Sequence, residues 1–203
     1  KRVYPMRYLV MIALLLFTSM TLVAQLAPIR RNAWSWPSFF LGAGFMLVET
    51  KGITELALVY SSTWHVTGIV IMAILTMAFF ANLAVWKLPR PPLPIVYGLL
   101  CASLLAGYFI TFADMGRLPL WRHRAAMTGM ITLPVFFSGF AFSTELKRVG
   151  TVPAVLSANL LGAMIGGFLE YNAMYFGFRF LYIIALAMYV LAGLASMRKV
   201  PSH

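Results

Sequence analysis

Hydrophobic residues in this chain come in long runs, separated by short clusters of basic and turn-forming residues. A run of about 20 apolar residues matches an α-helix that crosses the hydrocarbon core of a bilayer, whereas barrel strands alternate over about ten positions. The pattern therefore predicts an all-α fold, a polytopic transmembrane helix bundle with about seven spans. The candidate spans are residues 8–28, 37–60, 63–86, 93–112, 123–145, 153–175 and 178–197.

The borders of these runs carry independent signals. Pro37 stands near the start of the second run, and "KLPRPPLP" separates the third from the fourth. All five tryptophans fall near predicted helix ends, where an amphipathic indole prefers the headgroup layer. We find no repeat and no long hydrophilic stretch, so residues 1–203 are predicted to be a single transmembrane domain. Because the chain starts at Lys1 without an initiator methionine, we expect it to continue upstream, as a fragment of, or a subunit related to, a longer fused protein.

Composition and charge agree with a membrane location. The chain is 62% hydrophobic and 10% charged, with a mean hydropathy of +0.87, as in integral membrane proteins. Its net charge of +11 comes from basic residues that sit in pairs at the ends of the runs, such as Arg30 and Arg31. This placement indicates contact with the lipid bilayer and not with nucleic acid. The basic residues divide almost evenly between the two sides, so they do not predict orientation.

Charged residues interrupt the second span. Glu49 and Lys51 would lie near the middle of a membrane-spanning helix, where each charged side chain costs about 2.5–3.5 kcal/mol, and Glu55 follows them. Lys51 and Glu55 are four residues apart and can pair on one face, whereas Glu49 points about 200° away from Lys51 and needs a partner on another helix. The first interpretation is a buried polar cluster. In the alternative, residues 33–50 alone cross the membrane and residues 51–62 form an interfacial turn.

The sixth span carries a stripe of small residues. Ala158, Gly162 and Gly166 are spaced by four and are followed by Glu170, which gives a flat face that another helix can approach closely. Asn159 lies on nearly the same face as Glu170. The simplest interpretation is helix packing, with Asn159 as an interhelical hydrogen-bond donor. Glu170 could also pair across the following turn or with the lysine of the second span.

The sequence has few other candidates for chemistry. Asn82, in the third span, is expected to hydrogen-bond to another helix. We find no histidine or cysteine pair at metal-ligand spacing, no phosphate-binding loop and no nucleophile elbow. The sequence therefore predicts no catalytic residue, no cofactor and no metal site, and it leaves open whether the chain is part of an enzyme.

Three stretches resemble a known family. They are "FFLGAGFMLVETKGITELALVYSSTWHVTGIVIMAILTMAFFANL", "LPVFFSGFAFSTELKR" and "SANLLGAMIGGFLEYNAMYFGFRFLYIIALAMY". They resemble the membrane region of bacterial spermidine-synthase-like proteins, which is loosely similar to major-facilitator transporters and is joined to a soluble aminopropyltransferase-like domain. The resemblance implies a multi-pass protein of the bacterial cytoplasmic (inner) membrane. It also implies an intramembrane polar pattern made of Glu49, Lys51, Glu55, Asn82, Asn159, Glu170 and Asn172.

The resemblance does not bring catalysis with it, because the nucleotide-binding strand and acidic residues of the soluble domain are not in this chain. Three functions follow as hypotheses. The chain could be a membrane module that anchors an upstream soluble domain or assembles with other protein subunits. It could be a transporter, or half of one, for a cation or polyamine. It could be the membrane part of a membrane-embedded transferase. Transport predicts carboxylates facing one water-accessible cavity, and anchoring predicts carboxylates that are paired and dry.

Overall fold

A computed structural model describes residues 6–26, 34–60, 64–88, 92–110, 120–149 and 152–198. The prediction of an all-α fold is confirmed, since these residues form helices and no strand. The helices are α1 (Met6–Leu26), α2 (Trp36–Tyr60), α3 (Trp64–Lys87), α4 (Leu93–Ile110), α5 (Leu120–Val149), α6 (Val152–Leu169), the short α7 (Ala173–Phe176) and α8 (Arg179–Arg198).

The long helices match the predicted runs to within a few residues, except at the end of the sixth. There α6 ends at Leu169, and a 3-10 turn, Glu170–Asn172, leads into α7. Gly177 then adopts a φ of 82°, a left-handed conformation that favours glycine, and α8 begins two residues later. The predicted span over residues 153–175 is thus a helix followed by a tight turn.

Four helical segments of the described residues are long and apolar enough to cross a membrane, which makes this a membrane protein. They are Gly68–Lys87, Arg124–Val149, Val152–Asn172 and Arg179–Arg198. Val10–Leu22 and Leu93–Phe109 are shorter apolar helical segments. The count of seven spans stays a prediction.

Helix α2 is the centre of the bundle and packs against α6, α8 and α5. It runs parallel to α6, because the contacts advance together along both helices, from Ser38 with Asn159 to Thr50 with Glu170. It runs antiparallel to α8 and to α5. Consecutive long helices therefore alternate in direction from α2 onward, and the bundle has a Tyr60 end, where α2 finishes, and a Ser35 end, where it begins.

The α2–α6 interface brings two backbones into contact. A Cβ on Gly162 would lie 1.8 Å from the carbonyl oxygen of Phe39, and one on Gly166 would lie 2.5 Å from that of Ala43. On the other helix, a Cβ on Gly42 would lie 2.1 Å from the carbonyl oxygen of Asn159. Only glycine fits at these three positions, because any side chain would overlap the facing backbone.

Helix α2 continues unbroken to Tyr60, and this decides between the two interpretations of its charges. Lys51 is 3% exposed and Glu55 is 7% exposed. The alternative with an interfacial turn from residue 51 is wrong, since residues 51–60 are helical and both side chains are covered by neighbouring helices. Pairing one helix turn apart offsets part of the cost of burying the two charges.

Candidate functional site

The first buried polar group is the Lys51 centre, formed by Lys51, Glu55 and Tyr182. Lys51 Nζ donates a hydrogen bond to Glu55 Oε1, and the Tyr182 hydroxyl donates to Glu55 Oε2 at 3.2 Å. The ammonium also lies 4.8 Å from the centre of the Tyr182 ring, within the range of a cation–π interaction. Both carboxylate oxygens are therefore bonded, and the buried pair carries no net charge.

Tyr182 connects this centre to two helices besides its own. Its hydroxyl bonds to α2, and the same hydroxyl lies against Gly107 of α4, where a Cβ would be only 3.3 Å away. A small residue at position 107 thus makes room for the phenol. The Lys51 centre lies toward the Tyr60 end of the bundle, at the start of α8.

Glu170 and Glu49, the other two carboxylates of the predicted cluster, lie in different environments. Glu170 accepts a hydrogen bond from the Thr50 hydroxyl at 3.0 Å, so it reaches α2 but not Lys51. Glu49 is half-buried, and within the described ranges its carboxylate makes no hydrogen bond or ion pair. Thr50 faces α6 while Lys51 faces α8, because successive residues of a helix are turned by about 100°.

The three asparagines make hydrogen bonds at separate places, two of them to another helix. Asn159 Nδ2 donates to the carbonyl oxygen of Ser38 at 3.1 Å, near the Ser35 end. Asn82 accepts a hydrogen bond from the Ser143 hydroxyl of α5. Asn172 Nδ2 donates to the carbonyl oxygen of Leu169 at 2.9 Å, inside its own turn.

The seven polar residues therefore do not form one cluster in the described part of the chain. Lys51 and Glu55 are buried, Asn82 is exposed and the other four are half-buried, and they lie at different heights and on different faces. Asn159 and Glu170 are separated by about 16 Å along α6 at 1.5 Å per residue. Only Lys51 and Glu55 are brought together, and the partner that completes their site, Tyr182, was not among the residues predicted.

A second buried polar group, the Glu145 centre, was missed by the sequence interpretation. Glu145 on α5 is 1% exposed and accepts a hydrogen bond from the Ser196 hydroxyl of α8. Arg148 Nη1 lies 3.9 Å from Glu145 Oε1 and 3.3 Å from the Ser196 carbonyl oxygen. The Tyr97 hydroxyl of α4 is buried close to Ser196 and Glu145, without a hydrogen bond among the described residues.

A sequence signal for Glu145 did exist. Ser138, Ala141 and Glu145 are spaced by three and four residues, and all three are buried on one face of α5. The carboxylate stands only two residues before Lys147, at the last residue of the predicted span 123–145, and it was not among the residues predicted. Helix α5 in fact continues to Val149, which places Glu145 inside the bundle.

Two cavities lie among the described residues, and neither is polar. A groove of about 520 Å³ lies along α3 between Gly68 and Phe80, and one of about 170 Å³ lies between α4 and α8. Both are lined by apolar side chains, with Tyr182 contributing to the second, and no carboxylate lines either of them. Within the described residues, no three His, Cys, Asp or Glu side chains are placed to hold a metal ion.

In comparisons with protein-family models, with curated proteins and with solved structures, no match to this chain was found. The resemblance to spermidine-synthase-like proteins therefore stays a prediction. What the chain does has to be inferred from the two buried centres and the helices that they join.

Proposed function

We propose that this chain is a membrane anchoring and assembly module, in which buried charges fix the arrangement of helices. The observation that carries the proposal is the buried Lys51–Glu55 pair, in which Glu55 accepts one hydrogen bond from Lys51 Nζ and one from the Tyr182 hydroxyl. A buried carboxylate that is neutralised by a lysine and bonded at both oxygens must break these contacts before it can bind a passing ion. Such a pair specifies which face of α2 meets α8.

The Glu145 centre supports the same role at the opposite end of α8. Ser196 and Tyr182 are fourteen residues apart on α8, and each donates a hydrogen bond to a buried carboxylate on a different helix. One helix is thus tied to α5 at the Ser35 end and to α2 at the Tyr60 end. Two separated attachments of this kind resist both sliding and rotation of α8.

Transport of a cation or polyamine would make different demands on these residues. It requires carboxylates that can exchange partners in a water-accessible cavity. The two grooves are apolar, and Glu55 and Glu145 both have protein hydrogen-bond donors. These features favour the structural role for the charges.

A double apolar variant, Lys51→Met with Glu55→Leu, separates the two roles. Replacing a buried ion pair by apolar residues of similar size is often neutral or stabilising. We expect the double variant to keep the elution profile and thermal stability of the wild type in detergent. We also expect proteoliposomes of either protein to take up neither labelled spermidine nor rubidium above empty vesicles. Uptake by the wild type that the double variant loses would contradict the proposal.

The soluble domain that this module anchors would be aminopropyltransferase-like, in a bacterial inner-membrane protein, if the resemblance holds. The intact mass of the polypeptide from its native membrane tests this part. A mass above 22.6 kDa by the size of a soluble domain is the expected result. A native polypeptide of 22.6 kDa would instead make the chain a separate subunit, and the anchored domain would have to be a partner protein.

A further inference from the structure

We propose that Arg124 binds the phosphate of an anionic phospholipid headgroup at the Tyr60 end of the bundle. Arg124 is the last charged residue of α5 before the uncharged run 125–144, so it lies at the border of the apolar layer. Its guanidinium stands 5.2 Å from the centre of the Tyr60 ring, at the last residue of α2. The site is therefore a junction of α2 and α5 at headgroup level.

Hydrogen bonds to α5 hold the Tyr60 ring in place. Its hydroxyl hydrogen-bonds to Thr128 Oγ1 at 2.9 Å, and the Thr128 hydroxyl donates in turn to the carbonyl oxygen of Arg124 at 2.9 Å. Because Thr128 uses its proton on that carbonyl, Tyr60 is the donor to Thr128. This closed chain leaves both hydroxyls occupied and fixes the plane on which the guanidinium rests.

No acceptor contacts the guanidinium among the residues that the structure describes. Arg124 Nε is buried and makes no hydrogen bond, and no carboxylate pairs with Arg124 among the described residues. The side chain is only half-buried, and its two terminal Nη groups are not covered as Nε is. The two Nη groups together form an edge of the guanidinium that can match two phosphate oxygens.

The surroundings point to a lipid as the source of that phosphate. Trp121, one turn before Arg124, is 67% exposed, and the Arg122 guanidinium stacks on its ring at 5.1 Å. Exposed tryptophan beside arginine is typical of the interface between headgroups and acyl chains. Since this site holds two arginines, and no described carboxylate pairs with either, a headgroup of net negative charge is favoured over a zwitterionic one.

Lipid retention by the purified protein tests this site. The delipidated protein in neutral detergent is titrated with dioleoylphosphatidylglycerol, dioleoylphosphatidylcholine or inorganic phosphate, and bound lipid is counted by native mass spectrometry. We expect phosphatidylglycerol to bind more tightly than phosphatidylcholine. Arg124→Gln should weaken phosphatidylglycerol binding by about tenfold, the loss of one charge-assisted contact. Arg124→Lys keeps the charge but loses the two-donor edge, so its affinity for phosphatidylglycerol should lie between those of the wild type and Arg124→Gln.

Arg122→Gln is the matched control, since it removes the same charge from an exposed side chain only two residues away. Equal phosphatidylglycerol binding by Arg124→Gln and Arg122→Gln would overturn the proposal. Equal binding of phosphatidylglycerol and phosphatidylcholine would overturn the preference for an anionic headgroup. Binding of inorganic phosphate as tight as that of phosphatidylglycerol would overturn the lipid source. If Arg124→Gln does not fold, unchanged binding by Arg124→Lys overturns the two-donor site.

Discussion

Helix α2 is joined to α6 and to α8 in two different ways. Toward α6 it presents Gly42 and Ala43, and the two backbones touch with little side-chain volume between them. Toward α8 it presents Lys51 and Glu55, and the contact is a charged pair closed by a phenol. The contact with α6 thus requires that side chains be absent, whereas the contact with α8 is made by hydrogen bonds of an ion pair that has no net charge.

The difference predicts how each face responds to substitution. Two backbones can touch only where no side chain lies between them. A single added methyl group therefore forces the helices apart and lowers stability, and no second substitution on the same helix restores the contact. A buried ion pair is neutral only while both members are present. Removing one member leaves an unpaired buried charge and a large loss of stability, whereas replacing both by apolar residues costs little. The substitutions below sharpen this comparison, and all use unfolding of the purified protein in detergent as the measurement.

Lys51→Leu should have the largest effect. It leaves Glu55 buried with the Tyr182 hydroxyl but without a positive partner, which costs about 3–5 kcal/mol of unfolding free energy. Adding Glu55→Leu to this variant should restore most of that loss. If the single and double variants were equally unstable, the pair would not act as a unit.

Gly162→Ala should follow, with a loss of about 3 kcal/mol, because the new Cβ would overlap the Phe39 carbonyl oxygen. Gly129→Ala on α5 is the control, since nothing lies within 4 Å of a Cβ there. That control should be neutral or gain up to about 1 kcal/mol from better helix propensity. Similar stability of the two alanine variants would contradict the backbone contact.

Tyr182→Phe should cost about 1.5 kcal/mol, because it keeps the ring beside Lys51 and removes a hydrogen bond to a charged group. Tyr189→Phe is a matched test on the same helix, seven residues on. The Tyr189 hydroxyl is buried and makes no hydrogen bond among the described residues. Its removal should leave stability unchanged or slightly higher, and a larger loss than for Tyr182→Phe would reverse the assignment.

Glu170→Gln should have the smallest effect, about 0.5 kcal/mol, since a side-chain amide oxygen can still accept from the Thr50 hydroxyl. The same carboxylate-to-amide change at Glu145 is the comparison, because that group is buried with Ser196 and near Arg148. Glu145→Gln should cost more than Glu170→Gln. The opposite order would indicate that Glu170 has the more important partner.

The sequence by itself determined the helices and the contact between Lys51 and Glu55 within α2. The length of apolar runs sets which segments are helical, and a spacing of four residues brings Lys51 and Glu55 together whatever surrounds them. The stripe from Ala158 to Gly166 likewise marked a face suited to close packing, and the structure places α2 against it.

Only the tertiary structure decided which residues meet across helices. Glu170 contacts Thr50 and not Lys51, Tyr182 completes the Lys51 centre, and Glu145 is buried against Ser196. Each of these contacts depends on the rotation and height of one helix relative to another. These quantities come from the packing of many side chains at once, so no spacing within a single helix contains them.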